Sequence, residues 1–273
     1  MKQYLLGLVL VFSSVILSAQ NGWEAGGWIG TSHYFGDLNT NFDLSKPGLA
    51  GGFVLRYDFN KRLALKLGGS FGSVSGDDAR SDNLYQRARN LSFRSPLAEG
   101  LMQLEFNFFP YVHGDPDYFF TPYMLGGFNV FYFNPQAEIG NELVELRPLG
   151  TEGQFKGEEY YTVQGGLAFG IGFKIDLNYY WSLNFEIGAR KLFTDYLDDV
   201  STVYPDLQDL EQLHGELAAQ LSDRSIEIEG VDTSNFGRAG YQRGDSSAND
   251  TYVLSGISIV YYFGGLKCPE YSR

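Results

Sequence analysis

Cysteine and histidine are scarce in this sequence of 273 residues, and their scarcity excludes several kinds of site. Cys268 is the single cysteine, so the chain cannot form an internal disulfide bond. The three histidines, His33, His113 and His214, are scattered without the spacing of a metal site or of a nucleophile with its base. Ser32 and His33 are adjacent, but adjacent residues of a strand point to opposite faces. We therefore predict a protein that is not an enzyme and has no cofactor or metal site.

Long apolar runs are equally rare. The longest extends from Tyr4 to Leu17, after Lys2, and is followed by Ser18-Ala19-Gln20. This pattern predicts a secretory signal peptide over residues 1–19, cleaved after Ala19, and no cysteine follows it as one would in a lipoprotein. Elsewhere in the sequence no uncharged apolar run approaches the roughly 18 residues that a membrane helix needs. We expect an exported chain without a membrane-spanning helix.

Basic residues are outnumbered, with 20 Lys and Arg against 33 Asp and Glu and a net charge of -13. Binding to phosphate backbones needs a basic face, so nucleic acid is excluded as a partner. Aromatic residues, in contrast, make up 16% of the chain, and glycine occurs 34 times. This composition is typical of a barrel with aromatic girdles at both membrane interfaces.

Apolar and polar residues alternate along eight segments, as they do in strands that have one face toward lipid. The last segment, 251–263, is uncharged on both faces, and in a closed barrel such a strand pairs with the first strand and leaves no edge. In the fifth segment the two faces cannot be assigned. The eight predicted strands are 23–35, 49–59, 63–74, 97–109, 118–133, 161–176, 181–190 and 251–263.

Short and long connections alternate between these segments, which is the pattern of a small outer-membrane barrel. We predict an all-β fold, a transmembrane antiparallel β-barrel of about eight strands of the OmpA/OmpX type, with short periplasmic turns and long extracellular loops. A soluble β-sandwich is the alternative. Residues 20–263 are expected to form the barrel and residues 264–273 a periplasmic tail, which places both termini in the periplasm.

The predicted inward faces carry charges of both signs. An eight-stranded barrel has an interior just wide enough for side chains, and a buried charge without a partner is costly. We therefore expect ion pairs that plug the lumen and not a transport pathway. The predicted interior ion-pair residues are Arg56, Lys66, Glu99, Glu105, Lys174, Glu186 and Arg190.

Two long connections have features of their own. Asp77, Asp78 and Asp82 offer carboxylates to Ca²⁺, but their spacing matches no known calcium loop and the interleaved arginines favour a solvated surface. In the longest connection, near residues 195–249, leucines at helical spacing predict a helix that Gly215 weakens. These leucines, at positions 207, 210, 213, 217 and 221, either cover the barrel mouth or form a docking surface for a partner.

Three motifs carry a resemblance to a known family. HYFGDLN (His33 to Asn39) ends the first strand, GISIVYYFG ends the last, and Lys267-Cys268-Pro269 follows it. Together they resemble the PorG-like family, small outer-membrane β-barrels of Bacteroidota associated with the type IX secretion system. The resemblance implies a non-enzymatic component that ties a periplasmic lipoprotein ring to the outer membrane. A stand-alone barrel with an adhesive or envelope-stabilising role is the alternative, and a lipid-modifying enzyme is a third.

Cys268 is expected in an oxidising compartment, where a thiol tends to form a disulfide. With no second cysteine in the chain, its partner must be another molecule. Under the resemblance, that partner is a cysteine of the periplasmic ring lipoprotein, while a free thiol or a homodimer is the alternative. Outer-membrane lipid is the second expected partner, and contacts of the long loops with other translocon proteins stay open.

Overall fold

The computed structural model describes residues 22–264, and eight of its ten strands form one closed antiparallel barrel. Their order around the barrel is β1-β2-β3-β4-β5-β8-β9-β10, and β10 pairs with β1 to close the ring. The strands are β1 (Gly22–Phe35), β2 (Gly48–Asp58), β3 (Leu63–Asp77), β4 (Ser92–Asn107), β5 (Phe120–Phe133), β6 (Gln136–Ile139), β7 (Glu142–Glu145), β8 (Val163–Asp176), β9 (Trp181–Leu192) and β10 (Thr251–Tyr262).

Closure by the last strand confirms the prediction made from its uncharged faces. Glu24 lies opposite Tyr262 and Phe35 lies opposite Thr251, so the two terminal strands pair along nearly their whole length. Each strand thereby satisfies its backbone hydrogen bonds on both sides, as a chain segment in lipid requires.

The outward face is an apolar band. Ile29, Leu49 and Ile171 are 77%, 82% and 65% exposed, although burying an apolar side chain is favourable in water. Outward-facing aromatic rings contact one another near the strand ends, for example Trp23 with Tyr57, whose centroids are 4.9 Å apart. A closed barrel with such a band is a transmembrane barrel. Within residues 22–264, no helix has the length and apolar character to cross a membrane.

The barrel has a short-turn end and a long-loop end. Residues 59–62 and 177–180 form tight turns at the short-turn end. The connection 108–119 at the same end is longer than predicted and folds inward, where Tyr111 and His113 are buried. The termini of the described chain also lie at this end, whereas the remaining connections form a folded layer at the other end that we call the crown.

The strands extend further toward the crown than their sequence predicts. β3 continues to Asp77 and β4 begins at Ser92, because Gly76 pairs with Phe93 and Ser75 with Arg94 in register. The predicted charged loop between them is therefore shorter. It contains a 3-10 turn (Asp78–Arg80) and helix α1 (Leu84–Arg89), whose first turn is capped by the Asn83 side chain.

The fifth strand has an inward face that mixes polar and large apolar residues, so its alternation is hidden in the sequence. Thr121 and Asn129 face inward together with Tyr123, Phe131 and Phe133. After it, the segment predicted only as polar contains the hairpin β6–β7. Polar residues on both sides of this hairpin conceal it from a search for apolar alternation.

In the longest connection, the predicted helix is divided into α2 (Leu207–His214) and α3 (Glu216–Ser222). Gly215 separates them with a positive φ of 92°, a conformation that favours glycine. Leu210 and Leu221 are buried in the crown, whereas Leu213 is 58% exposed and Leu217 is 37% exposed. Leu210 and Leu221 therefore help to cover the barrel mouth, and a docking role for Leu213 and Leu217 stays a prediction.

The predicted signal peptide and Cys268 lie outside the described residues.

Candidate functional site: a charged lumen beneath a folded crown

The structure places all seven predicted interior residues inside the barrel and links them in layers. In the layer nearest the short-turn end, Arg56 Nε lies 2.7 Å from Glu105 Oε2, and Lys174 Nζ lies 2.7 Å from the same oxygen. A second guanidinium nitrogen of Arg56 pairs with Glu24. All four side chains are at most 1% exposed, so each charge depends on its partners and not on water.

A second pair crosses the lumen above the first. Lys66 Nζ lies 2.6 Å from Glu186 Oε1, and the Tyr123 hydroxyl donates a hydrogen bond of 2.8 Å to Glu186 Oε2. Gly172 makes this possible, because a Cβ there would lie 2.6 Å from the Tyr123 ring. The missing side chain provides the space in which Tyr123 reaches across the barrel.

Arg56 and Lys66 are direct cross-strand neighbours on β2 and β3. Like charges in that relation destabilise a sheet. Their heads nevertheless diverge, because Arg56 is held by Glu24 and Glu105 and Lys66 by Glu186. The two layers therefore depend on each other. If Glu186, or Glu24 together with Glu105, is removed, the repulsion between Arg56 and Lys66 is no longer compensated.

A third layer lies closer to the crown. Arg190 Nε lies 3.1 Å from Glu99 Oε2, and the Tyr252 hydroxyl also donates to Glu99. Asn129 donates to the same carboxylate at 3.2 Å, and Ser70 donates to its other oxygen at 3.3 Å. Glu99 therefore has a donor on each oxygen, as a buried carboxylate requires.

The space between these layers is small. One cavity of about 40 Å³ is lined by Arg56, Lys66, Glu186 and Arg190, among other side chains. That volume holds a few water molecules. Buried side chains fill the lumen on either side of it, so the described part of the barrel is a packed core.

A charged cluster at the short-turn end was not predicted from the sequence. His113 Nε2 lies 2.8 Å from Glu24 Oε1, and His113 Nδ1 lies 3.1 Å from Asp176 Oδ1. Asp58, at the end of β2, is buried beside them. The inward position of the three carboxylates was readable from strand alternation. The arrival of His113 was not, because it depends on the inward path of residues 108–119.

The structure shows the partners of His33 and of two carboxylates of the acidic triplet. Ser32 is buried and His33 faces outward toward Thr31, so the two are on opposite faces as predicted. Asp78 is held by both Nε and Nη2 of Arg89, at 2.8 and 2.9 Å, and Asp77 pairs with Lys46 at 2.7 Å. Asp77 and Asp78 therefore form ion pairs with cations of the chain.

The crown closes the other end of the lumen around the HYFGDLN segment. The Tyr34 hydroxyl contacts both Asp198 and Asp250, the second at 3.1 Å. The Asp37 backbone carbonyl accepts a hydrogen bond of 2.8 Å from Arg89, and the Asn39 side chain donates to the Tyr34 carbonyl at 2.7 Å. This segment therefore joins the first loop to the second and the last.

In the crown, Arg243 pairs with two buried carboxylates, of which one belongs to the longest loop. Arg243 is 2% exposed and lies 3.1 Å from Glu152 and 3.8 Å from Asp199. Asp199 also accepts hydrogen bonds from the hydroxyls of Thr151 and Tyr160. In the longest loop, hydroxyl and backbone N–H donors, and not cations, satisfy most of the buried carboxylates.

Burial changes the acidity of crown carboxyls. It raises the pKa of Asp195 to about 7, and the neighbouring Asp37, Glu152 and Asp245 act in the same direction. It raises the pKa of Asp199 to about 6 against the opposing effect of Arg243. Burial likewise raises the pKa of Asp37 to about 6, although its carboxylate accepts hydrogen bonds from the Asp245 amide.

A family model described as "Domain of unknown function (DUF6089)" matches residues 2–220, which is more than half of the chain. The chain belongs to this family. The matched region contains the first seven barrel strands and the start of the longest loop. The family description gives no function, and no curated protein matches the chain.

Several solved structures are similar to the chain at low identity. Ail, the attachment invasion locus protein of Yersinia pestis in complex with the heparin analogue sucrose octasulfate, is 9% identical, with a TM-score of 0.43, over 89% of this chain and 99% of the other. OprG from Pseudomonas aeruginosa is 12% identical, with a TM-score of 0.44, over 91% and 99%. Neisserial surface protein A is 8% identical, with a TM-score of 0.42, over 90% and 100%. The barrel architecture of this chain rests on its own strand pairing.

Proposed function

We propose that this protein is a non-enzymatic, non-conducting outer-membrane barrel that serves as an anchor, and that its role is in the type IX secretion system. The observation that carries the first part is the packed lumen, in which side chains fill the space a solute would need. Such a barrel holds a fixed position in lipid and offers its two ends to other molecules.

The secretion role rests on the resemblance of three sequence motifs to those of the PorG-like family. The structure gives the HYFGDLN motif a structural role, since its residues join three loops of the crown. These crown contacts are compatible with the anchoring role and with other roles of a small barrel. Association with a periplasmic ring is therefore the part that needs a direct test.

Co-purification provides that test. We expect a periplasmic ring lipoprotein to co-purify with the tagged barrel from outer membrane solubilised in mild detergent, and deletion of the barrel to impair type IX secretion. An anchor for this system is excluded if the barrel purifies without ring proteins and secretion is normal in its absence.

Cys268 allows a sharper version of the same test. If it bonds to the ring lipoprotein, a non-reducing gel of whole cells will show a higher-mass band that collapses with reductant and is lost in Cys268→Ser. A homodimer band of twice the monomer mass would point to the alternative partner. Monomer alone, with thiols trapped before lysis, would rule out a covalent anchor.

Orientation is tested by cysteine labelling in a Cys268→Ser background. Cysteines at Asp82, Gln212 and Lys156 in the crown are expected to react with an impermeant thiol reagent on intact cells. Lys61 and Asp117 at the short-turn end provide the matched unreactive set, since all five positions are exposed. Gly153 is a poor position because its φ of 84° strains any other residue. Labelling of both sets would contradict the proposed orientation.

The alternative is a stand-alone barrel whose crown contacts an external partner. It is favoured by the exposure of Leu213 and Leu217 on helices that are otherwise anchored by Leu210 and Leu221. Under this alternative, Leu213→Ser with Leu217→Ser would abolish adhesion or envelope stability and leave secretion intact. The anchoring role predicts instead that Cys268→Ser impairs secretion and leaves adhesion and envelope stability intact.

A further inference from the structure

We propose that Glu24, Asp58 and His113 form a binding site for a divalent transition-metal ion, with zinc as its representative, at the short-turn end of the lumen. The three residues come from β1, β2 and the connection 108–119, which no single motif joins. One ligand atom from each residue lies within 4.8 Å of the other two, and all three residues are buried. This inference is independent of any role in secretion.

The spacing of the ligand atoms fits a metal after small movements. Zinc binds histidine nitrogen and carboxylate oxygen at about 2.0–2.2 Å, so two tetrahedral ligands lie about 3.4 Å apart. His113 Nε2 and Glu24 Oε1 are 2.8 Å apart, which requires these side chains to separate by a fraction of an ångström.

Asp58 is buried beside Glu24 without a cation of its own. The residue is 7% exposed, its Oδ1 accepts no hydrogen bond from an N–H or O–H donor of the described residues, and its side-chain partner is the carboxyl of Glu24, so the two acids need a proton or a cation between them. A buried carboxylate oxygen without a donor is costly, and in native proteins such a group calls for an explanation. A coordinated cation beside Asp58 would satisfy it.

His113 is oriented as metal-binding histidines are. Its Nδ1 lies 3.1 Å from Asp176 Oδ1, and Asp176 is itself held by the Tyr111 hydroxyl and by the Gly114 amide at 3.0 Å. A histidine that donates Nδ1–H to a carboxylate presents the lone pair of Nε2 to the metal. The imidazole also stacks on the Tyr262 ring with centroids 4.2 Å apart, which fixes its plane.

The local charges leave room for a divalent cation. Four buried carboxylates, those of Glu24, Asp58, Glu105 and Asp176, surround two cations, Arg56 and Lys174. With His113 neutral, two negative charges stay uncompensated, and one divalent ion neutralises them. The same charge is balanced without metal when His113 and Asp58 each carry a proton, and this is the competing account.

A metal at this position would tie the start of β1 and the end of β2 to the connection that folds into the barrel. Glu24 would keep its second oxygen on Arg56, which is the kind of hydrogen bond that supports a ligating carboxylate. The ion would therefore stabilise the end of the barrel at which the termini of the described chain lie.

The test uses the whole mature chain refolded in detergent with Zn²⁺, followed by removal of excess metal by gel filtration and elemental analysis. We expect about one zinc ion per chain for the wild type, and at least a roughly ten-fold lower content for Asp58→Asn and His113→Gln. Asp176→Asn is expected to weaken zinc binding by about 10–100-fold. His33→Gln and His214→Gln are matched controls that retain full zinc content.

Heat-modifiable migration on gels establishes that each variant is folded before its metal content is compared. The visible spectrum of the wild-type protein refolded with Co²⁺ gives a measurement that needs no variant, with expected bands of a nitrogen- and oxygen-ligated site. The proposal is overturned if folded wild type retains no zinc and gives no such spectrum. It is also overturned if Asp58→Asn and His113→Gln retain as much zinc as wild type, which would leave protons as the balancing charges.

Discussion

The lumen and the crown both bury charged residues, but they satisfy them in opposite ways. In the lumen, each of the seven predicted residues contacts an ion of the other sign, as Glu105 contacts Arg56 and Lys174. In the crown, carboxylates outnumber the cations that reach them, and Asp198 and Asp250 share the Tyr34 hydroxyl. The lumen thus holds fixed ion pairs, while the crown depends on hydrogen-bond donors and on protonation.

The lumen and the crown are therefore vulnerable to different substitutions. A lumen ion is surrounded by partners that become uncompensated when it is removed, so one substitution there affects the whole barrel. A crown carboxyl loses only local donors, so a substitution there loosens loops above an intact barrel.

The largest loss of unfolding free energy is expected for Arg56→Met. It leaves Glu24 and Glu105 without the guanidinium that bridges them, and breaking a buried ion pair costs about 3–5 kcal/mol. Urea unfolding of the barrel in lipid vesicles measures this loss. Arg87→Met, at an exposed position of α1, is the control and is expected to change stability by about 0.5 kcal/mol or less. Equal stability of the two variants would refute the account of the lumen.

A smaller and local effect is expected for Tyr34→Phe. Loss of the hydroxyl removes the donor that Asp198 and Asp250 share, which costs about 1–3 kcal/mol for a buried group. Hydrogen exchange is expected to rise in residues 193–204 and to stay unchanged in the barrel strands. Tyr161→Phe, at a ring that is 79% exposed, controls for the chemical change. Unchanged hydrogen exchange in residues 193–204 would argue against a stabilising role of the Tyr34 hydroxyl in the crown.

The smallest effect is a pH dependence confined to the crown. Asp195 and Asp199 have a folded-state pKa of about 7 and about 6, above the ordinary value of 3.8. Folding therefore favours their protonated forms, and this stabilisation is complete below about pH 4 and is lost as the pH rises through 6 and 7. We expect proteolysis of residues 193–250 to be faster at pH 8 than at pH 5.

Asp195→Asn is expected to reduce the difference in crown proteolysis between pH 5 and pH 8, because the amide is neutral at both pH values. Arg56→Met supplies the contrast, since it weakens the barrel but leaves the pH profile of crown proteolysis as in wild type. Faster crown proteolysis at pH 5 than at pH 8 would reverse the predicted sign.

Much of the barrel was predictable because alternation reports which face of a strand meets lipid. The inward positions of Arg56, Lys174 and Glu186 follow directly from that period. Which ions pair could not be predicted, because Lys66 reaches Glu186 across the lumen, 120 positions away in the chain. The crown was the least predictable part. Its helix break at Gly215 was visible, but the burial of Asp198 beneath Tyr34 depends on how three loops pack.

Conductance of the purified wild-type protein in planar lipid bilayers tests whether this membrane-spanning barrel has a packed lumen. Ion-paired side chains that are buried occupy the lumen, and the cavity among Arg56, Lys66, Glu186 and Arg190 is about 40 Å³. We expect insertion without stable open-channel currents over the voltage range that the bilayer tolerates. Reproducible, ohmic single-channel steps from folded, heat-modifiable protein would contradict it.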